Sequence, residues 1–131
     1  MNFALACAGA LSVAAAAVHG IVGDRLVRRI DRHALPKSPI GGPNSTFGLI
    51  HVSWHLVTIV FLLAGAALFA ISTSGNAALV RGVGIFLAAM YACFGLFAIG
   101  YSFARLPSAL LKHPAPIGFV VVTALICWGA F

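Results

Sequence analysis

Three histidines in this sequence occupy positions from which they could act together. His51 and His55 lie in the segment HVSWH, four residues apart. In an α-helix, residues i and i+4 project from one face, so the two imidazoles can converge on one ion. His19 ends another apolar stretch, five residues and roughly 7 Å of helical rise before Asp24. A histidine inside an apolar span is costly and needs a hydrogen-bond partner, a metal or a cofactor.

Three histidines at similar depth predict a metal site formed by His19, His51 and His55. Imidazole nitrogen suits zinc, copper, iron or nickel. A fourth ligand is expected from the polar rim of the site, for which the sequence offers Asp24, His33 and His113. Of these three residues, Asp24 is the predicted ligand.

A b-type haem is a more specific form of the same hypothesis. It needs two axial histidines on different helices, and His19 with His55 or His51 meets that requirement. A chlorophyll-type pigment needs a single histidine below small residues, and the segment from Ala15 to His19 resembles that pattern. The sequence favours the metal ion or the haem over the pigment and does not identify the ligand.

A purely structural role accounts for the same histidines. Near a membrane interface their imidazoles can hydrogen-bond to backbone carbonyls, Ser53, Thr58 or lipid phosphates. Both acidic residues, Asp24 and Asp31, stand among arginines and are expected to pair with them. The sequence contains no GxSxG, HExxH or P-loop motif, so it gives little support for an enzymatic activity.

The composition indicates that the elements carrying these residues are membrane helices. Of the 131 residues, 62% are hydrophobic and 8% are charged. A soluble domain of this size has too high a surface-to-volume ratio to bury so much apolar surface. We predict an all-α polytopic membrane protein with four transmembrane helices in an up-down-up-down bundle. This single membrane domain covers residues 1–131, with spans at about 3–23, 46–71, 78–103 and 117–131.

The distribution of positive charge predicts the orientation of these spans. The loop after the first span contains Arg25, Arg28, Arg29, Arg32 and Lys37, and the loop before the last contains Arg105 and Lys112. By the positive-inside rule both loops are cytoplasmic, and both termini lie outside, in the periplasm if the membrane is a bacterial inner membrane. The histidines then lie at the cytoplasmic edge.

The net charge of +6 does not require a nucleic-acid partner. Basic residues beside apolar spans favour the anionic cytoplasmic leaflet, so the expected partner is the lipid bilayer. Besides the metal or haem hypothesis, a second one is open. In it the chain is a non-catalytic accessory subunit of a larger membrane complex, of respiratory or photosynthetic type, and its histidines are structural.

Two short motifs carry a resemblance. His19-Gly20 followed by Gly23-Asp24-Arg25, and Ser53-Trp54-His55 at the second span, resemble a pattern in small bacterial four-helix integral membrane proteins. The likeness covers about half the chain. It implies a four-span fold and a bacterial membrane location, and it brings no assigned reaction or functional residue.

Overall fold

The computed structural model of the protein describes residues 1–37, 41–105 and 115–131. Lys112 and His113 lie outside the described residues. Within them the chain forms helices and turns and contains no β-strand. The prediction of an all-α fold is therefore confirmed.

The helices follow the apolar segments of the sequence. The first is continuous over Phe3–Val27 and changes geometry along its length. It comprises α1 (Phe3–Ala17), a π-helical segment (Val18–Gly23) and α2 (Asp24–Val27), and it is followed by a 3₁₀ turn (Arg32–Ala34). The remaining helices are α3 (Pro43–Ser72), α4 (Ala77–Arg105) and α5 (Ala115–Ala130).

Three of these helices are long and apolar enough to cross a membrane. They are Phe3–Val27, Pro43–Ser72 and Ala77–Ala104, of 25, 30 and 28 residues. At about 1.5 Å per residue, each exceeds a hydrocarbon core roughly 30 Å thick. The helix Ala115–Ala130 is apolar but has only 16 residues, or about 24 Å of rise. The fourth span therefore stays a prediction.

The described chain forms two compact units. The histidine unit is Val13–Leu63, and the terminal unit combines Met1–Ser12 with Ala64–Phe131. All the site residues predicted from the sequence that the structure describes belong to the histidine unit. The terminal unit is held by close helix packing and a few buried hydrogen bonds.

In the terminal unit, α4 and α5 run antiparallel at short range. Gly84 lies against Ala130, and Gly95 lies opposite Phe119, so rising numbers in α4 meet falling numbers in α5. A Cβ added at Gly84 would overlap with the Ala130 Cβ. Small residues permit such close backbone approach, which contributes much of the packing energy when lipid surrounds the helices.

A buried chain of hydrogen bonds joins α4 to α1 within the same unit. The Tyr91 hydroxyl donates to Ser12 Oγ at 2.7 Å, and Ser12 donates to the Ala8 carbonyl at 2.8 Å. Tyr91 is only 1% exposed. Because a polar group without a partner is costly in such a place, these bonds fix the relative positions of the two helices.

A matched pair of glycines in α4 tests this packing. Gly84→Ala is expected to destabilise the protein by about 1–3 kcal/mol, because its methyl group overpacks against Ala130. Gly82→Ala should be neutral or stabilising by up to about 1 kcal/mol, since nothing lies within 4 Å of its Cβ and alanine favours a helix. Thermal unfolding in detergent measures both.

The double variant Gly84→Ala with Ala130→Gly serves as the control, because it removes the overlapping methyl group. It should recover most of the lost stability. Equal behaviour of Gly84→Ala and Gly82→Ala would contradict the packing described here.

Candidate metal centre

The histidine unit pairs the end of the first helix with the beginning of α3. His19 contacts Thr58, whereas Asp24 contacts His51. Numbers rise in one helix as they fall in the other, so the two segments run antiparallel. This pairing brings residues far apart in the sequence to the same level.

The π-helical segment Val18–Gly23 determines which way Asp24 faces. In an α-helix, residues five apart project about 140° from each other. In a π-helix the hydrogen bond joins i and i+5, so those residues lie roughly one above the other. His19 and Asp24 are five residues apart and enclose this segment. Both side chains consequently reach α3, as their contacts with Thr58 and His51 show.

Trp54 packs against the π-helical segment at His19 and Gly23. Its indole N–H donates to the His19 carbonyl at 2.8 Å. A Cβ at Gly23 would overlap with the Trp54 ring, and one at Gly20 would lie 3.0 Å from the Thr58 methyl carbon. A side chain that inserts into the backbone hydrogen-bond ladder is a recognised cause of local helix distortion. Gly20 and Gly23 leave the space for it.

His19 is held by two aromatic rings and one hydroxyl. Its ring stacks on Trp54 with centroids 4.1 Å apart and planes 5° from parallel, and it meets Phe61 edge-on. Its Nδ1 lies 2.9 Å from Thr58 Oγ1, a hydroxyl that also lies 3.4 Å from the Trp54 carbonyl. The hydrogen-bond geometry suits a hydroxyl that donates to the carbonyl and accepts from the imidazole.

Three ligand atoms converge beside this stack. His51 Nε2 lies 2.6 Å from Asp24 Oδ1, and His55 Nε2 lies 3.2 Å from His51 Nε2 and 3.3 Å from the same carboxylate oxygen. All three side chains are partly buried. Three electron-pair donors at such distances repel one another unless a proton or a cation lies between them. The arrangement is thus suited to binding a positive ion.

The triangle has the dimensions of a metal site. An ion placed about 2.1 Å from each of the three ligand atoms would lie about 1 Å above the plane through them. The three atoms would then occupy three corners of a coordination tetrahedron. Two histidines and one carboxylate are the ligand set of several zinc sites and of non-haem iron sites. The side chains of Asp24, His51 and His55 could therefore bind an ion with little movement.

Neighbouring side chains orient two of the three ligands. Arg28 Nε donates to Asp24 Oδ2 at 2.7 Å, which leaves Oδ1 directed at the histidines. Phe47 stacks on His51 at 5.7 Å, and the Arg32 guanidinium lies 4.2 Å from the Phe47 ring centre. Such outer contacts fix ligand orientation and tune affinity in metal sites.

The structure brings together Asp24, His51 and His55 from the predicted set. His19 is not in that group, because its ring is engaged by Thr58 and Trp54. Its role as a metal or haem ligand stays a prediction.

The other candidate ligands lie elsewhere. His33 lies in the 3₁₀ turn, where its backbone N–H donates to Asp31 Oδ1, and His113 lies outside the described residues. The predicted pairing with arginine is confirmed for Asp24.

Sequence reasoning did not identify Arg28, Phe47 and Gly23 as site residues. A spacing signal existed for one of them, since Phe47 precedes His51 by four residues and so shares its helix face. Gly20 and Gly23 gave a weaker signal, as small residues three apart next to His19. Nothing in the sequence indicated a π-helix.

No protein-family model matches the chain, and no match to it is found among curated proteins or among solved structures.

Gly23→Ala tests the contact between Trp54 and the π-helical segment. The added methyl group should displace the indole and break its bond to the His19 carbonyl, at a cost of about 1–3 kcal/mol. In a Trp128→Phe background, the fluorescence of Trp54 should shift towards that of a more exposed indole.

Gly48→Ala in α3 is the matched control, because nothing lies within 4 Å of its Cβ. It should leave both the fluorescence and the stability near the parent values. An unchanged Trp54 spectrum in Gly23→Ala would contradict the contact.

Proposed function

We propose that this protein is a small integral membrane protein that binds a divalent transition-metal ion through Asp24, His51 and His55. The observation that carries the proposal is the convergence of one carboxylate oxygen and two imidazole nitrogens within 2.6–3.3 Å of one another. The residues belong to two helices, so the ion would also crosslink the end of the first helix to α3. Zinc suits this ligand set best, because three protein ligands leave it one open position.

The geometry favours an ion over a haem. A haem whose iron binds His55 Nε2 needs space for its flat ring beside that atom. His51 Nε2 lies only 3.2 Å from it and occupies that space. The haem hypothesis, with His19 and His55 as axial ligands, stays a prediction, and so does the accessory-subunit role.

The membrane location rests on helix length and on what the helices expose. Besides the three helices of spanning length, large apolar side chains are exposed on α4, among them Phe86, Leu96 and Phe97 at 68%, 70% and 75%. Exposed apolar area of this kind needs lipid or a partner to cover it. We propose the orientation given by the basic residues, with the metal centre at the cytoplasmic edge.

Substitution of the ligands tests the metal proposal. Asp24→Asn, His51→Ala and His55→Ala should each weaken zinc or cobalt binding by about 100-fold or more, because two ligands do not hold the ion. Isothermal titration with zinc and the visible spectrum of bound cobalt measure the loss. His33→Ala, which removes an exposed histidine outside the group, should bind as the parent does.

His19→Ala separates the two ligand assignments. It should leave cobalt bound with at most a modest loss, since it removes a packing partner of Trp54 rather than a ligand. A complete loss of cobalt binding would instead make His19 a metal ligand, as the sequence predicted. A Soret band in the native preparation that disappears with His19→Ala would favour the haem hypothesis. Parent-like binding in all three ligand variants would refute the proposed site.

Cysteine labelling tests the orientation. After Cys7, Cys93 and Cys127 are replaced by serine, single cysteines are introduced as His33→Cys and Gly75→Cys, both at exposed positions. In intact bacterial cells a membrane-impermeant maleimide should label the cysteine at 75 and reach the one at 33 only after permeabilisation. The reverse pattern, or labelling of both in intact cells, would contradict the orientation.

A further inference from the structure

The proposed metal centre adjoins a concentration of arginines whose positive charge is mostly unpaired. Arg28 forms an ion pair with Asp24, and its side chain is still 64% exposed. Arg25 and Arg29 are exposed, and among the described residues no carboxylate forms an ion pair with either. All three arginines follow Asp24 within five residues of the sequence, so positive charge is concentrated beside the site.

The charge at the site also favours an anion once metal is bound. A divalent ion, the Asp24 carboxylate, two neutral imidazoles and the Arg28 guanidinium together carry a net charge of about +2. Three protein ligands leave zinc an open coordination position. An anionic oxygen ligand at that position would neutralise more charge than water does.

The Asp24 carboxylate places the metal and the guanidinium next to each other. Oδ1 faces the two histidines, and Oδ2 accepts from Arg28 Nε. Among the described residues, Arg28 forms a side-chain hydrogen bond only through Nε, so the N–H groups of its two terminal nitrogens can donate to another acceptor. A group with several oxygens on one centre can bind the ion through one oxygen and the guanidinium through another, and planar Arg recognises phosphate in this way.

We propose that the metal-loaded centre binds a phosphate group, with one oxygen on the ion and another on Arg28. This inference rests on the proposed metal site and names its ligand class. Asp24 is the first charged residue after an uncharged apolar stretch, so the centre lies where a lipid headgroup phosphate would be found. A headgroup and free phosphate offer the same chemistry, and the experiment separates them.

Cobalt serves as the spectroscopic probe, because replacement of its bound water changes the visible absorption. The cobalt-loaded full-length protein is titrated with inorganic phosphate in detergent. It is also placed in nanodiscs of phosphatidylcholine with and without phosphatidic acid. A saturable spectral change on phosphate addition or with phosphatidic acid supports the proposal. A change with phosphatidic acid alone assigns the ligand to the lipid headgroup.

Arg28→Gln and Arg29→Gln form a matched pair, since each removes one charge from the same segment but only Arg28 contacts Asp24. Arg28→Gln should weaken the phosphate response about tenfold or more, whereas Arg29→Gln should weaken it about two- to threefold through general electrostatics. Arg28→Lys should restore part of the response, because it returns the charge without the planar fork.

The outcomes distinguish this inference from the proposed function. If cobalt gives no bound spectrum at all, the metal site itself is refuted. If cobalt binds but phosphate and phosphatidic acid leave its spectrum unchanged, only the phosphate proposal is overturned. Equal losses in Arg28→Gln and Arg29→Gln would overturn the bridging role of Arg28.

Discussion

The contact between Trp54 and the π-helical segment Val18–Gly23 is the constraint on which the histidine unit depends. The indole donates to the His19 carbonyl, stacks on the His19 ring and occupies the space that Gly23 leaves open. The π geometry turns Asp24 towards α3, because residues five apart then share a face. Without that rotation, the carboxylate would face away from His51 and His55.

The convergence of the three ligand atoms follows from this rotation. It explains why a chain of mostly apolar helices carries a carboxylate and two imidazoles in one place. One carboxylate oxygen lies within 3.3 Å of two imidazole nitrogens, while Arg28 engages the other oxygen. Because these atoms belong to the first helix and to α3, the proposed ion would link the two helices.

The terminal unit shows a different solution to packing apolar helices. Its helices come together through glycine and alanine, as at Gly84 and Ala130, and a buried chain of side-chain hydrogen bonds joins α4 to α1. Between helices in lipid there is no hydrophobic driving force, and close fit and internal hydrogen bonds supply the stability there.

The sequence alone determined the all-α class, the apolar segments and the convergence of His51 with His55, because these depend on composition and on helical periodicity, which are local. It also predicted Asp24 as a ligand, from its position at the rim. The tertiary structure decided that Asp24 completes the group and that His19 packs against Trp54 and Thr58 instead. The reason is the π-helical segment, which lies against Trp54 at Gly23 and so involves a contact between residues far apart in the sequence, which helical periodicity does not reveal.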